Sequence, residues 1–442
     1  MQVHVEEINS VKRKVSIEVP VERVNAEIDK AYAGIQKKAT LSGFRKGKAP
    51  MQMIKKFYRS AMQDEVMRRL YEQTLFPALD DHKIEPVDAP LIDDIALVEE
   101  GTPFKYSALI EIMPQILLSD YKGLQVKKER YVADNDAVEG EITRMRENMA
   151  QLVPLEEGAV EKGMVLTVDF TLTVPGFPEE ETSGQDATVE VGGGRLIPGL
   201  EEGLLGMTIG EPKEINVTMP EDNPNKEVAG KSAVFTITLK ELKKKELPEL
   251  DDEFAQQFGD FETMEEMRTK LAEMREKQEQ DRIAVDLKTR IIDALIEKNP
   301  LEVPDSMVRR QVEFMLDNLK NRLKGQNMSI EAMGLNEDGF RQRFWGEATQ
   351  KVKGGLLVMA LVEQENIAVE ESDLETRYEK IADGNEGMLG RIRDFYAAQA
   401  NARNSLVAEI KEDKAIAFLL EHAVVTEVDA AELNAAIPAA AE

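Results

Sequence analysis

Val15, Ile17 and Val19 alternate with polar neighbours, and Pro20 closes the run, which predicts a strand with one buried face. The period then changes. Val24, Ile28, Tyr32 and Ile35 recur at helical spacing and predict a helix. The segment Gly43-Phe44-Arg45-Lys46-Gly47-Lys48-Ala49-Pro50 interrupts it, and Pro50 opens a second helix carrying Ile54, Phe57 and Tyr58. Alternation returns at Phe104, Tyr106, Ala108, Ile110 and Ile112, ending at Pro114. Residues 1–115 therefore read as one α+β domain in which the glycine-flanked loop is an exposed tip between two helices.

Residues 134–152 read as a connecting helix. Over 158–245 the texture is different: strands at 167–173 and 234–242, many glycines, and a turn at Gly206-Met207-Thr208-Ile209-Gly210 predict a mostly β domain. Beyond Leu247-Pro248-Glu249-Leu250 the pattern is helical nearly to the end. Ile283, Leu287, Ile291 and Leu295 form one stripe. Pro304-Asp305-Ser306 starts the next helix, whose stripe is Val308, Val312, Leu316, Leu319 and Leu323. The fold class is multidomain α+β, divided as 1–115, a linker over 116–157, 158–245, a helical region over 246–430, and an Ala-rich, disordered tail over 431–442.

Length supports this division, since 442 residues correspond to about three domains. The apolar fraction of 42% supplies real cores and argues against global disorder. With no cysteine, disulfides, thiolate metal sites and cysteine nucleophiles are excluded. The first residues lack the apolar stretch of a secretory signal. The longest apolar run, 354–362, falls short of the ~20 residues of a membrane span. These features predict a cytoplasmic protein with no membrane partner.

Charge sharpens the picture. The chain carries −28 overall, yet residues 1–115 hold 17 basic and 18 acidic side chains, so nearly all the excess lies beyond them. Within that first segment, positions 30–63 contain nine Lys or Arg and no Asp or Glu. A solvated charged face is the plain alternative. The absence of acids in an acid-rich chain, and Phe44 at a predicted tip, favour a dock for a polyanionic partner. Phe44 is suited either to stacking on a base or to filling a pocket on a protein.

Other motifs yield less. Gly192-Gly193-Gly194-Arg195-Leu196-Ile197-Pro198-Gly199 lacks the Lys-Ser/Thr that a phosphate-binding loop requires, because Leu200-Glu201 follows. His4, His82 and His422 are scattered, which excludes a zinc site or a hydrolytic triad built on them, and no cofactor is expected. Met264, Met267, Met274, Met307, Met315, Met328, Met333, Met359 and Met388 read either as core filling or as an adaptable apolar surface.

Three of these segments occur in the order found in the bacterial trigger factor family of ribosome-associated chaperones, which the whole chain resembles. Gly43 to Pro50 resembles that family's ribosome-binding signature. The run from Leu196 to Met207 resembles the core motif of FKBP-type prolyl isomerases. Leu247-Pro248-Glu249-Leu250-Asp251-Asp252-Glu253-Phe254 resembles the family's exit from the isomerase domain. The resemblance implies an N-terminal ribosome-binding domain, an FKBP-like β-sheet domain and an extended all-α C-terminal domain with arms that shield nascent chains. The implied dock on the large ribosomal subunit, protein and RNA together, is Gly43, Phe44, Arg45, Lys46, Gly47 and Lys48. The implied proline pocket is Phe170, Ile197, Leu200 and Phe235. A homodimer of the free protein stays open.

The chain also departs from the isomerase pattern. Leu200 stands at the pocket floor where the family has Trp or Phe, Asn223 stands in place of Tyr, and Ala187 in place of Phe. These losses imply weak isomerase activity. Two rival readings remain: an isomerase whose flanking domains deliver it, and an RNA-binding or ribosome-assembly factor without chaperone action.

Overall fold

In the computed structural model the described residues are all except Gly43, 175–182, Arg195, Pro198, 222–228, Asn327 and 436–442. Expectations at Gly43 and Asn223, and for the tail beyond 435, lie outside the described residues. The chain divides into two units, one made of 1–130 with 283–442 and the other of 131–282.

The first unit begins with β1 (Gln2–Glu7), β2 (Lys12–Val19), α1 (Val21–Lys38), α2 (Met51–Phe57), α3 (Arg59–Asp81), β3 (Leu91–Ile95), β4 (Phe104–Glu111) and β5 (Gln125–Glu129). Four of the strands form an antiparallel sheet in the order β1-β2-β4-β3. The register sets Val15 opposite Ala108, Ile17 opposite Tyr106 and Val19 opposite Phe104, so both alternating patterns share one face. Val24, Ile28 and Tyr32 of α1, Ile54 of α2, and Val66, Leu70 and Leu79 of α3 close over that face. The edge strands β1 and β3 were not legible. In β1 the apolar members Val3 and Val5 are only half-buried, and β3 carries Asp93 and Asp94.

Within this core the Tyr106 and Thr74 hydroxyls lie 2.7 Å apart. Burial pushes the Tyr106 phenol up to about 12 from an ordinary 10.0, against a smaller lowering by the Thr74 contact. The fold therefore prefers the neutral phenol. Its stabilisation is intact below pH 10 and is lost as pH rises from 10 towards 12, by about 2–3 kcal/mol. Urea unfolding at pH 9 and pH 11 should show a smaller alkaline loss in Tyr106→Phe than in the parent chain; equal losses refute the assignment.

The second unit contains α4 (Asn135–Asn148), β6 (Gln151–Leu155), β7 (Met164–Thr173), β8 (Ser183–Glu190), α5 (Leu200–Leu204), β9 (Pro212–Thr218), β10 (Ser232–Glu246), α6 (Asp252–Gln256) and the first part of α7 (Met264–Lys298). The long β10 pairs with β7 along one edge, while β9 and β6 share its other edge, and β8 lies beyond β7. Leu166, Val168, Leu204, Ile215, Val217, Ile237 and Leu242 form the core between the sheet and α5. Gly203 lets α5 settle on β9, because a Cβ there would stand 2.8 Å from Cδ1 of Ile215. Gly203→Ala should cost this β-sheet domain about 1–3 kcal/mol by overpacking, seen as a lower melting temperature; an unchanged melt refutes the packing argument. A separate cluster joins Val138 and Ile142 of α4 to Phe254, Met264, Met267 and Leu271.

The first unit resumes with the last part of α7 and continues through α8 (Asp305–Gly325), α9 (Glu337–Gln364), α10 (Glu371–Ala382), α11 (Glu386–Ala398), α12 (Ala400–Glu421), β11 (Val424–Val428) and α13 (Ala430–Ala435). The stripe of α8 buries Val308, Val312, Leu316 and Leu323 against Phe340, Val352 and Leu356 of α9.

Several features differ from the sequence reading. The segment 116–157, read as a linker with one helix over 134–152, holds that helix as α4 and, in addition, β5 and β6. β11 breaks the helical run and pairs in parallel with β5, Val424 opposite Gln125 and Val428 opposite Glu129. Leu118, Leu124 and Val126 enter one core with Ile291, Leu295, Leu357, Ile416 and Leu419. Of the tail read as disordered, 431–435 is helical, with Leu433 buried and Glu432 2.8 Å from Lys127. The methionines divide between both readings. Met264 and Met267 are buried and Met307 and Met315 pack on a core, whereas Met274, Met328, Met359 and Met388 are exposed. The Met333 side chain lies outside what is described.

Candidate functional site

The cationic loop is anchored at its base and free at its tip. The α1 helix ends with the Ala39 N–H donating to Ile35 O at 2.7 Å. Ala39 and Ala49 are buried at either side of the loop, and Leu41 packs on the core between them. The Gln36 side chain donates to Ala49 O at 2.7 Å, and the Tyr58 hydroxyl donates to Thr40 O at 3.3 Å. Two further backbone bonds shape the tip, Phe44 N–H to Leu41 O at 3.0 Å and Lys48 N–H to Arg45 O at 2.9 Å. Gly47 sits inside that second turn at φ 79°, a left-handed conformation that favours glycine.

This framework presents Phe44 39% exposed, with Arg45, Lys46 and Lys48 exposed around it. Three island cations are spent inside the fold: Lys30 on Glu27 at 2.7 Å, Lys55 on Glu100 at 2.9 Å and Arg59 on Glu99 at 2.9 Å. Among the described residues no carboxylate lies within ion-pair distance of Lys37, Lys38, Arg45, Lys46, Lys48 or Lys56. Sequence reasoning did not separate the first group from the second, because the acids that neutralise it lie outside the island. It also read Phe57 only as an apolar position of the helix after Pro50, whereas Phe57 is 58% exposed at the end of α2.

Phe170, Ile197, Leu200 and Phe235, which the resemblance implies for a proline pocket, all lie in the second unit. Antiparallel register places Phe170 opposite Ile237 and Leu172 opposite Phe235, so Phe170 and Phe235 project from one face of the β7–β10 pair. The Phe170 and Phe235 rings have centroids 6.1 Å apart at 46°. Leu200, the first residue of α5, is buried, and its N–H donates to Ile197 O at 3.0 Å. Gly199 before it takes φ 86°. Phe170, Ile197, Leu200 and Phe235 belong to one apolar cluster, together with Ala187. Opposite Phe170 on β8 stands Gly184, where a Cβ would fall 2.5 Å from Cε1 of the ring. Desolvating an X-Pro amide weakens the resonance behind its ~18–20 kcal/mol rotation barrier, and that chemistry calls for apolar surface rather than an acid or base.

Comparison with known proteins decides the family. Residues 1–145 match the profile described as "Bacterial trigger factor protein (TF)", and 263–421 match that of its C-terminus. Residues 156–240 match "FKBP-type peptidyl-prolyl cis-trans isomerase". The trigger factor of Trichlorobacter lovleyi is 82% identical over 99% of this chain and 99% of its own length. The chain belongs to the bacterial trigger factor family. The Pelobacter propionicus trigger factor is 58% identical over 98% of this chain and all of its own length, and the Geobacter sulfurreducens trigger factor 48% identical over 96% and 98%. A solved structure described as "Promiscuous Substrate Recognition in Folding and Assembly Activities of the Trigger Factor Chaperone" covers 95% of this chain and 99% of its own, at 22% identity and a TM-score of 0.45. Like other trigger factors, this one is a ribosome- and nascent-chain-binding chaperone carrying an FKBP-type peptidyl-prolyl isomerase domain. No helix among the described residues of this trigger factor is long and apolar enough to cross a membrane.

Proposed function

We propose that Gly43, Phe44, Arg45, Lys46, Gly47 and Lys48 are the dock of this chaperone on the large ribosomal subunit, beside the point where nascent chains emerge in the cytoplasm. The observation that carries this is an anchored loop whose aromatic is exposed and whose cations have no acid within the described residues. Co-sedimentation with purified 70S ribosomes tests it.

The proline pocket is assigned to Phe170, Ile197, Leu200 and Phe235, in an isomerase domain taken as 158–245. Leu200 and Ala187 supply less ring surface than aromatic residues would, so turnover of proline peptides is expected to be weak. A rate equal to that of an efficient FKBP contradicts this.

Client shielding is assigned to the helical region over 246–430. A groove of about 400 Å³ runs between α9 and α12, its apolar lining Val358, Met359, Val362, Val407 and Ala408 bordered by Glu363, Asn404, Lys411 and Glu412. Met359 is 59% exposed there, and thioether side chains adapt to many apolar partners. Met359→Glu should lower aggregation suppression severalfold while ribosome binding is unchanged. Undiminished suppression removes the groove from the client surface.

A further inference from the structure

The cations left without acids are not confined to the loop signature. Lys37 and Lys38 occupy the last turn of α1, and the loop folds back on them. A Cβ at Gly47 would lie 3.6 Å from Lys37 O and 3.9 Å from Lys37 Cα. The turn from Arg45 to Lys48 therefore rests on the backbone of Lys37. Five cations, Lys37, Lys38, Arg45, Lys46 and Lys48, are gathered at one end of the domain. A helix C-terminus does favour positive charge. That local preference does not account for cations with no ion-pair partner, among the described residues, on both a helix end and a separate turn.

The kinds of residue at this tip indicate what they meet. Four of the five cations are lysines. Lysine is depleted from the centres of protein–protein interfaces, where arginine and aromatic residues are enriched. Its ammonium is a compact point charge with freely rotating donors, suited to phosphate oxygens at no fixed geometry. Phe44 and Arg45, by contrast, are the residues a protein pocket would take.

We infer that Lys37 and Lys38, with Lys48, form a phosphate-binding apron that grips the sugar–phosphate backbone of ribosomal RNA beside the Phe44 anchor. The dock thus has two components. The apolar tip sets the site, and the lysines supply an RNA-directed, salt-dependent grip. This rests on the ribosome-docking reading above.

The test is the salt dependence of binding to purified 70S ribosomes, measured for the full chain, Phe44→Ala, the double variant Lys37→Ala/Lys38→Ala and the conservative Lys37→Arg/Lys38→Arg. Each cation that meets a phosphate contributes roughly 0.7–0.9 to the slope of log affinity against log salt. The double alanine variant should bind severalfold more weakly at low salt, with a slope shallower by about 1.4–1.8. Phe44→Ala should lose affinity at an unchanged slope, and the arginine pair should restore both quantities. Circular dichroism confirms that α1 is intact, as alanine is the best helix former. Binding by the double alanine variant at the parent slope overturns the apron and leaves the dock standing. Absence of binding by the parent chain overturns both.

Discussion

Replacing Phe44, Arg45 and Lys46 together with alanine should abolish stable association with 70S ribosomes and leave the melting temperature of the chain unchanged. Binding and folding separate at this loop. What holds the loop lies at its base, in the Gln36 to Ala49 hydrogen bond and the burial of Ala39 and Ala49. The three side chains at the tip contribute nothing to that base. Surface replacements away from such features stay within about 0.5 kcal/mol. An aromatic or arginine anchor in the centre of an interface is worth ~2 kcal/mol or more, which corresponds to about a thirtyfold loss of affinity for a single anchor. Co-sedimentation at fixed ionic strength reads the affinity and calorimetry the stability. Unchanged sedimentation with ribosomes refutes the dock, and a lowered melt shows that the tip is structural.

Phe170→Ala should lower proline-peptide turnover at least about tenfold, expressed in kcat/KM, with a smaller effect on domain stability than Phe235→Ala. The two rings lie on one sheet face but in different surroundings. Phe235 is buried on the central strand β10, so its truncation leaves a cavity, and such changes cost about 3–5 kcal/mol. Phe170 is only half-buried and rests over Gly184, so its truncation removes pocket wall more than core. Loss of the ring takes away surface that desolvates the substrate amide, and the barrier rises by 1.36 kcal/mol for each tenfold. A protease-coupled peptide assay on the full chain measures the rate. Turnover retained in Phe170→Ala removes this side chain from the pocket, whatever Phe235→Ala does.

The parts of the fold that were legible have patterns that are local and one-sided. The alternation at Val15, Ile17 and Val19 and the stripe on α8 name their buried faces, because each element sets its whole apolar set on one core. The loop was legible for a different reason, since no acid interrupts its cations. What escaped were elements held by partners remote in sequence. β5 reads Gln-Val-Lys-Lys-Glu, with too little alternation to declare a strand, and exists through pairing with β11. Residues 431–435 looked like a frayed tail, yet α13 lies against β5, with Leu433 buried and Glu432 paired with Lys127. For the proposed proline pocket the family resemblance supplied Phe170, Ile197, Leu200 and Phe235, while the glycine opposite Phe170 was visible only once β7 and β8 were in register.

The β5–β11 pairing also sets an order of events when this chaperone is itself synthesised. Residues 131–282 form a unit from one continuous stretch and can consolidate as soon as that stretch is complete. The other unit is discontinuous. Leu118, Leu124 and Val126 are made early, yet their core needs Ile416 and Leu419, and their strand needs Val424 to Val428. Contacts of such long sequence separation form last and slowly. For most of its own translation the chain therefore carries an apolar segment with no partner, the hazard that exposes growing chains to aggregation. A molecule that shields unfinished proteins must pass through that unfinished state before it can work.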